Sequence, residues 1–442
     1  MEKIYVADVI DRSPLGAYHW RIVLLGGLVM MLDGYDLAIM GTVVPAIAAA
    51  WNQPLSGFGL VFSSSFAGVA VGSAVAGMLG DRYGRKIALL TLFLFGAVGC
   101  FGSAFATDRA TLLAWRVITG VGMGGVIPNI IALATEFMPA KRRTLLVVLT
   151  YSGAPLGSTL GAVLAARLIP ALGWESTFVV GGVLPIFVAL LVARMLPESP
   201  RFLVERMGRT REAYAVLTRL QPGFSLREGQ ELAVHSTNIA NASPVELFRA
   251  NRGPATLLLW TLFIGTQSMV FFLASWLSSL LVRTGYALPD ALYAVSLYHF
   301  GAFAGGLSVA WLSDRYSGER LLAITYAIAV ACLIVLARIT GSQGAVFILS
   351  FLTGAAVIGA SLSLGALAAT YYPTTIRSTG VGWGLSAGRL GAIASPLLGG
   401  AALSANWSVT GILSAVAIPA SVCVIAVMML KRNKPPPIQN SS

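Results

Sequence analysis

The chain has 442 residues, of which 56% are hydrophobic and only 11% are charged, and its mean hydropathy is strongly positive. Soluble domains carry about 25% charged residues, so this composition excludes an ordinary soluble protein and is typical of an integral membrane protein. The net charge of +12 would suit a nucleic-acid-binding protein, but only if the basic residues formed one patch.

Twelve apolar segments are each long enough to cross a bilayer, which takes about 20 helical residues. They cover residues 20–45, 57–79, 87–107, 111–135, 144–168, 175–196, 255–282, 290–312, 320–340, 344–371, 378–403 and 407–430. Most connections between them are short. The sequence therefore predicts an all-α integral membrane protein with twelve transmembrane helices.

The basic residues are concentrated in every second loop. If the amino terminus is cytoplasmic, all but six of the 30 Lys and Arg residues lie in or beside cytoplasmic loops or tails. This distribution follows the positive-inside rule and predicts that both termini are cytoplasmic. We therefore expect a multi-pass protein of the cell (inner) membrane, with the lipid bilayer and no nucleic acid as partner. Cys100, Cys332 and Cys423 lack metal-ligand spacing, and no cofactor or metal is expected.

Two carboxylates, Asp33 and Asp36, lie three residues apart near the middle of the first span. They share one helical face, and neither side chain is long enough to reach water. One charge at this depth costs ~2.5–3.5 kcal/mol on insertion scales, so the pair predicts a proton-exchanging site. Asp36 is slightly favoured as the proton carrier. The alternative is a permanent buried ion pair with Arg389 or Arg116.

Two arginines lie within predicted spans and more than one helical turn from either end. Arg389 is near the middle of the eleventh span, and its guanidinium offers two parallel hydrogen bonds to a carboxylate. We predict that Arg389 anchors the substrate. Arg116 lies nearer the outer end of the fourth span, where substrate contact and a helix-pairing or snorkelling role both remain open.

Other polar and aromatic side chains inside spans are weaker candidates for substrate contact. They are Gln267 and His299, whose alternative role is an interhelical hydrogen bond, and Tyr35 and Trp383, whose alternative role is packing. In the fifth span, Gly153, Gly157 and Gly161 are spaced by four residues, which favours close packing of helices.

The cytoplasmic loops reveal an internal repeat. Leu79-Gly80-Asp81-Arg82-Tyr83 recurs 233 residues later as Leu312-Ser313-Asp314-Arg315-Tyr316. Glu136, Pro139 and Arg143 are matched by Thr370, Pro373 and Arg377 at an offset of 234. We therefore predict two six-helix bundles, at 1–196 and 255–430, joined by a cytoplasmic linker of short surface helices at 197–254 and followed by a tail at 431–442.

The run Gly80-Asp81-Arg82-Tyr83-Gly84-Arg85-Lys86 resembles the signature loop of the major facilitator superfamily. The resemblance implies the major facilitator fold and alternating access of a midplane site. It also implies a gating latch between helix ends. Its predicted members are Gly80, Asp81, Arg82, Gly84, Arg85, Lys86, Glu136, Asp314 and Arg315. The second-half loop departs from the pattern at Ser317-Gly318-Glu319.

Within that superfamily, Asp33-Gly34-Tyr35-Asp36 resembles the acidic motif of the aromatic acid:proton symporters. The resemblance implies a proton-coupled importer of small aromatic carboxylates of the benzoate or hydroxybenzoate type. Its expected partners are that substrate and protons, and it is expected to function as a monomer.

Two segments of the sequence favour other functions. Pro197-Glu198-Ser199-Pro200-Arg201 favours a sugar-type porter or a drug/proton antiporter, and a non-transporting membrane receptor is a further alternative. Gly384-x-Ser386-x-Gly388, taken with His299, would suit an intramembrane serine hydrolase. That motif requires a strand-to-helix turn, and this copy lies inside a predicted helix, so we expect no enzyme activity.

Overall fold

A computed structural model describes residues 2–227, 230–234, 243–249, 251–313, 315–339, 341–373 and 375–432. Its elements in chain order are β1 (Glu2–Tyr5), α1 (Val6–Asp11), α2 (Ala17–Ala50), α3 (Gly59–Tyr83), α4 (Arg85–Ser103), α5 (Arg109–Gly124), α6 (Val126–Phe137), α7 (Arg143–Tyr151), α8 (Gly153–Leu172), α9 (Glu175–Met195), α10 (Pro200–Glu205), α11 (Thr210–Leu220), β2 (Gln230–Ala233), α12 (Gly253–Arg283), α13 (Leu288–Ser313), α14 (Gly318–Leu336), α15 (Gln343–Tyr371), α16 (Arg377–Ser404) and α17 (Val409–Arg432). Short 3₁₀ turns cover Leu55–Phe58, Ala140–Arg142 and Pro244–Phe248.

The twelve predicted spans are confirmed, with boundaries that differ by a few residues. Within the described parts of the chain, eleven helical segments are long and apolar enough to cross a membrane. The twelfth, α16, has 28 residues, but Arg377, Arg389 and frequent glycines reduce its hydropathy. The chain therefore has the twelve-helix architecture predicted from the sequence.

The fourth and fifth spans are each built from two helices, which the sequence analysis did not predict. The fourth span breaks at Gly125, between α5 and α6, and the fifth breaks at Ser152, between α7 and α8. In both, a proline is the third residue of the second helix: Pro128 in α6 and Pro155 in α8. Proline lacks the N–H that would donate to the preceding turn of a continuous helix. It is therefore better suited to the first turn of a new helix than to a helix interior.

The start of the fourth span is fixed by a capping box. The backbone N–H of Thr111 donates to the Asp108 carboxylate at 2.8 Å, and the Thr111 hydroxyl accepts from the backbone N–H of Asp108. These bonds satisfy donors that a helix start leaves free. The bond from the Thr111 N–H lowers the pKa of Asp108, because it stabilises the ionised carboxylate.

By its internal contacts the chain divides into two compact units. The first unit comprises Met1–Asp36, Ala67–Gly157 and Glu175–Asn238, and the second comprises Leu37–Phe66, Ser158–Trp174 and Ile239–Ser442. This division does not follow the sequence repeat, because α2, α3 and the fifth span each contribute one end to the second unit.

In the first unit, α2 packs tightly against the fifth span. A Cβ atom built on Gly34 would lie 1.9 Å from the backbone oxygen of Ala154, and one built on Gly157 would lie 1.7 Å from that of Met31. Backbone-to-backbone contact of this kind requires small residues. The close helix approach predicted for Gly153 and Gly157 is therefore confirmed, since a Cβ on Gly153 would lie 2.2 Å from the oxygen of Gly27.

The amino terminus and the linker form a small layer on the first unit. Strand β1 pairs in parallel with β2, from Glu2 opposite Gln230 to Tyr5 opposite Ala233. Helix α10 begins at Pro200 and is capped by Ser199, whose hydroxyl accepts from the N–H of Phe202. Apolar residues of α1, α10, α11 and β2 join the core formed by α2, α4, α6 and α9. We call the end of the first unit that carries this layer the linker side.

In the second unit, the carboxyl-terminal part of α2 and the start of α3 contact helices of the second half of the chain. Ser278 of α12 donates a hydrogen bond to the backbone oxygen of Gly41. Ser63 of α3 donates to the backbone oxygen of Ile393 of α16 at 2.6 Å. A Cβ on Gly41 would lie 2.0 Å from the backbone oxygen of Ala274. These contacts hold the far ends of α2 and α3 directly against α12 and α16.

Candidate functional site

The first unit contains a buried ion pair between α2 and α5. Nη1 and Nη2 of Arg116 donate to Oδ1 and Oδ2 of Asp36 at 2.8 and 2.9 Å. Arg116 is 2% exposed and Asp36 is 6% exposed. Two parallel bonds between planar groups are the strongest geometry for this pair. The structure thus shows the Asp36–Arg116 ion pair that the sequence analysis gave as one alternative, and proton coupling by Asp36 and substrate contact by Arg116 stay predictions.

Asp33 lies one helical turn before Asp36 and has a different environment. Its side chain is partly exposed, and in the described part of the chain it makes no hydrogen bond or ion pair. Tyr151, the last residue of α7, lies close enough to interact with its charge. The neighbouring Gly34 contacts Ala154. Asp33 therefore faces the break in the fifth span, where helical hydrogen bonding is interrupted.

Tyr35 points into the packed interior of the first unit. Its hydroxyl donates to the backbone oxygen of Thr177 in α9 at 2.8 Å, and the residue is only 4% exposed. A Cβ on Gly181 would lie 2.9 Å from its ring, so the ring is held closely. The structure thus shows Tyr35 joining α2 to α9, and substrate contact by Tyr35 stays a prediction.

In the second unit, the cationic side chain of Arg389 lies near the middle of a span. Arg389 is the thirteenth residue of the 28-residue helix α16, and its side chain is exposed. Within the described ranges it makes neither an ion pair nor a hydrogen bond. A guanidinium at this depth must face water, a bound anion or other polar groups, since lipid chains cannot solvate it. An exposed guanidinium of this kind can bind an anion, and the role of Arg389 as substrate anchor stays a prediction.

Gln267 lies beside the turn of α16 that carries Arg389. A Cβ on Gly388 would lie 2.9 Å from Cγ of Gln267, and Oε1 of Gln267 accepts from the Ser361 hydroxyl at 3.0 Å. One turn further along α12, Phe271 packs edge-on against Phe66 with ring centroids 4.5 Å apart. Both rings are partly exposed. The sequence analysis included Gln267 but missed Ser361 and Phe66, whose residue types carry no signal of their own.

His299 and Trp383 do not join this group by any described contact. His299 is 3% exposed, and its Nε2 atom has no hydrogen-bond partner among the described residues. Trp383 stacks on Trp260 with centroids 6.1 Å apart, and Trp260 in turn packs edge-on against Phe248 before the start of α12. A substrate contact by His299 or Trp383 stays a prediction.

Several residues of the predicted latch make contacts on the linker side of the first unit. Asp81 pairs with Arg85 at 2.7 Å, and Nε of Arg85 lies 3.9 Å from Glu136. The backbone N–H of Lys86 donates to Glu198 at 3.2 Å. The contacts join the ends of α3, α4, α6 and α9, and their gating role stays a prediction. The sequence analysis predicted no latch role for Glu198. It noted the segment Pro197-Glu198-Ser199-Pro200-Arg201 only because that segment favours a sugar-type porter or a drug/proton antiporter.

The glycines of the latch loop have distinct physical roles. Gly84 has φ +101°, a conformation that side chains disfavour, and a Cβ there would lie 2.4 Å from Glu198. A Cβ on Gly80 would lie 2.6 Å from Nη1 of Arg85. Arg82 is exposed and stacks only on the adjacent Tyr83.

The second copy of the loop differs. Asp314 lies outside the described residues, and Arg315 stacks on Trp311 at 4.1 Å without an ion pair in the described part of the chain. Glu319, where the sequence departs from the pattern, is buried and accepts from the Tyr371 hydroxyl at 3.0 Å. In the second half, a hydrogen bond between α14 and α15 therefore takes the place of the Arg85–Glu136 ion pair of the first half.

No group of three or more His, Cys, Asp and Glu side chains that would hold a metal ion occurs in the described ranges.

Comparison with known proteins identifies the family. Residues 26–347 match the model of the Major Facilitator Superfamily. The chain is 34% identical over 97% of its length to the 4-hydroxybenzoate transporter PcaK of Pseudomonas aeruginosa, covering 96% of that protein. It is 33% identical to a gallate transporter of Pseudomonas putida, over 96% of this chain and 94% of that one. It is 31% identical to a benzoate transport protein of Acinetobacter baylyi, over 97% and 93%.

Solved structures show the same fold. A D-xylose-proton symporter superposes with a TM-score of 0.74 at 17% identity, covering 95% of this chain and 98% of that one. A bacterial homologue of the human lysosomal transporter Spinster gives a TM-score of 0.67 at 18% identity, covering 95% and 96%. Twelve spans, a sequence repeat, the signature loop and a family match over most of the length agree: the chain belongs to the Major Facilitator Superfamily.

Proposed function

We propose that this protein is a proton-coupled symporter that imports small aromatic carboxylates, of the benzoate or hydroxybenzoate type, by alternating access. The observation that carries the proposal is the contrast between the two intramembrane arginines. Arg116 is neutralised by Asp36, whereas Arg389 has no partner among the described residues. The free arginine suits an anionic substrate better than a neutral sugar or a cationic drug. Relatives named for 4-hydroxybenzoate, gallate and benzoate support the same substrate class.

Arg389 binds the substrate carboxylate in this proposal. Its planar guanidinium can donate two parallel hydrogen bonds to the two carboxylate oxygens. Gln267 and Ser361 lie beside the same turn of α16 and offer amide and hydroxyl groups to ring substituents. The Phe66–Phe271 pair supplies aromatic surface for the ring, which favours edge-to-face or offset contact.

Asp33 carries the coupled proton. A carboxylate without a cationic partner is costly to hold in its ionised form within a membrane, so binding a proton lowers that cost. Asp36 differs, because both of its oxygens are occupied by Arg116 and a proton would have to displace one of those bonds. With the substrate on Arg389 and a proton on Asp33, neither group carries an uncompensated charge while the transporter changes state. This assignment reverses the slight preference for Asp36 drawn from the sequence.

The latch acts on the change of state. Its two ion pairs and the hydrogen bond from the Lys86 N–H to Glu198 join the ends of four helices on the linker side. These contacts stabilise one arrangement of those ends and must break when the ends separate. Mutations there alter rates of reorientation more than equilibrium affinity for substrate. The family consists of membrane transporters, and we propose no chemical conversion of the substrate.

The proposed topology has both termini in the cytoplasm and the linker side facing the inside of the cell. The proposed organisation is two six-helix bundles, at 1–196 and 255–430, joined by the 197–254 linker, with a tail at 431–442, acting as a monomer in the inner membrane. The support is the concentration of Lys and Arg in alternate loops and the sequence repeat.

A ligand panel with reconstituted uptake tests the function. Purified protein is heated with benzoate, 4-hydroxybenzoate, gallate, D-xylose and a cationic drug, and the same compounds are assayed as uptake substrates in proteoliposomes. We expect aromatic carboxylates alone to raise the melting temperature and to accumulate when the outside is acidic. Accumulation of xylose or the cation instead would overturn the substrate assignment, and binding without uptake would indicate a receptor.

A further inference from the structure

A cavity of about 460 Å³ opens on the linker side of the first unit. It lies where the start of α2, the start of α4 and the end of α9 meet the linker helices α10 and α11. Its lining includes five basic side chains against two acidic ones; the basic ones are Arg21, Lys86, Arg194, Arg209 and Arg219. Neither Arg389 nor Asp33 lines the cavity, although the latch residues Lys86 and Glu198 do, and the transport proposal assigns no ligand to it.

The five basic side chains differ in their contacts. Arg209 pairs with Glu212, and Lys86 donates to the backbone oxygen of Ala193 at 2.7 Å. Arg21, Arg194 and Arg219 make no ion pair in the described part of the chain. A folded protein that gathers three free guanidinium groups around one cavity incurs mutual repulsion, which a bound anion would remove.

Two buried polar atoms at the same cavity also lack partners. They are Oη of Tyr18 and Nε of Arg21, neither of which has a hydrogen-bond partner among the described residues. The Arg21 guanidinium lies 4.4 Å above the Tyr18 ring, so this pair is held in place. Buried donors are normally satisfied, and these two line a space large enough for a ligand.

The walls of the cavity are apolar and continue toward the membrane. Leu203 and Val216 line it from the linker helices, and Ile87 and Met195 line it from α4 and α9. Ile87 is 53% exposed and Met195 is 40% exposed. On α9, the exposed Leu190 and Leu191 extend this surface into the span. The ligand therefore needs an anionic head and an apolar body that follows the helices.

We propose that this cavity binds the phosphate headgroup of an anionic lipid from the surrounding leaflet. Arg21, Arg194 and Arg219 contact the phosphate oxygens, Tyr18 donates to one of them, and the acyl chains lie along α4 and α9. Basic pockets at the ends of transmembrane helices, on the side where anionic headgroups concentrate, have the chemistry to hold such lipids. A free anion would satisfy the arginines but would leave the apolar rim uncovered.

Native mass spectrometry of the full-length protein in detergent tests the proposal. Phosphatidylglycerol and phosphatidylcholine are titrated separately, and Arg194→Gln and Arg219→Gln are compared with Arg211→Gln. Arg211 is an exposed residue of the same helix as Arg219 and does not line the cavity, so it controls for the loss of one surface charge. We expect phosphatidylglycerol to bind more tightly than phosphatidylcholine, and each cavity variant to weaken that binding about fivefold.

The melting temperature of each variant without lipid verifies that it is folded. Equal lipid affinity in Arg219→Gln and Arg211→Gln would overturn the proposal, because it would reduce the effect to general surface charge. Inorganic phosphate and 4-hydroxybenzoate are then added as competitors. We expect neither to displace phosphatidylglycerol at millimolar concentration. Displacement by either would show a site for free anions and would also overturn the lipid assignment.

Discussion

The guanidinium of Arg116 holds both carboxylate oxygens of Asp36, at 2.8 and 2.9 Å, while Asp33 on the preceding turn of the same helix has no partner in the described part of the chain. Two acids that look equivalent in the sequence are therefore different in their surroundings. One is part of the packing between α2 and α5, and the other is available to bind a proton.

Removing the charge of Asp36 is expected to destabilise the protein. Asp36→Asn leaves Arg116 buried without its counter-charge, which lowers the free energy of unfolding by about 3–5 kcal/mol. The measurement is unfolding of the purified variant in mixtures of mild detergent and SDS. The double variant Asp36→Leu with Arg116→Met should regain much of the loss, since no buried charge is left unpaired. An Asp36→Asn variant as stable as Asp33→Asn would contradict this role.

Replacing Arg389 by lysine is expected to weaken substrate binding although the charge is kept. Lysine cannot donate two parallel hydrogen bonds from a planar group, so Arg389→Lys should lose about 10- to 100-fold in affinity for the aromatic carboxylate. Calorimetric titration of the purified protein measures the affinity. Arg283→Lys, at the exposed end of α12, is the matched control and should bind as wild type does. Undiminished affinity in Arg389→Lys would exclude Arg389 as the anchor.

Breaking the latch is expected to affect transport more than binding. Asp81→Asn removes the 2.7 Å ion pair with Arg85 and leaves Arg85 only its 3.9 Å contact with Glu136. Uptake in proteoliposomes should fall several-fold while the equilibrium affinity for substrate stays within about twofold. Glu212→Gln is the control, because Arg209 and Glu212 form another exposed ion pair, and neither has a described contact with Asp81, Arg85 or Glu136. Equal losses of binding and uptake in Asp81→Asn would show that Asp81 acts elsewhere.

The close packing of α2 on the fifth span leaves no room for a methyl group. Gly157→Ala would place Cβ 1.7 Å from the backbone oxygen of Met31, and Gly34→Ala would place it 1.9 Å from that of Ala154. Backbone atoms cannot move aside as side chains do, so each change should lower the free energy of unfolding by ~1–3 kcal/mol and should lower expression. Gly77→Ala, where no atom lies within 4 Å, should be neutral when melting temperatures are compared. Equal melting temperatures for all three variants would refute this packing.

The spans and the repeat could be predicted because they depend on composition and local order along the chain. Asp33 and Gln267 are also related by the 234-residue offset of the repeat. In the structure, Asp33 lies beside the fifth span, which carries Ala154, and Gln267 lies beside the eleventh span, which carries Arg389. The breaks at Gly125 and Ser152 were missed, although Pro128 and Pro155 were visible in the sequence. Proline bends some membrane helices without interrupting them, so its position alone does not predict a break.

The partner of Asp36 could not be chosen from the sequence. Arg116 and Arg389 both lie inside spans, and only the packing of α2 against α5 brings Arg116 within bonding distance. The pairing of β1 with β2 was likewise hidden, since it joins segments more than 220 residues apart, as the bond between Glu2 and Gln230 shows, and neither strand has a strong pattern. Tertiary contacts of this kind are not encoded in local periodicity.

In the proposed mechanism, Asp33 couples the movement of a proton to that of an aromatic carboxylate. The most direct test measures 4-hydroxybenzoate accumulation under an imposed pH gradient, and counterflow exchange without a gradient, in proteoliposomes of wild-type protein and Asp33→Asn. Asparagine mimics the protonated carboxyl group, so the variant should exchange labelled for unlabelled substrate but should no longer accumulate it. Proton-driven accumulation at the wild-type level in Asp33→Asn would contradict the account.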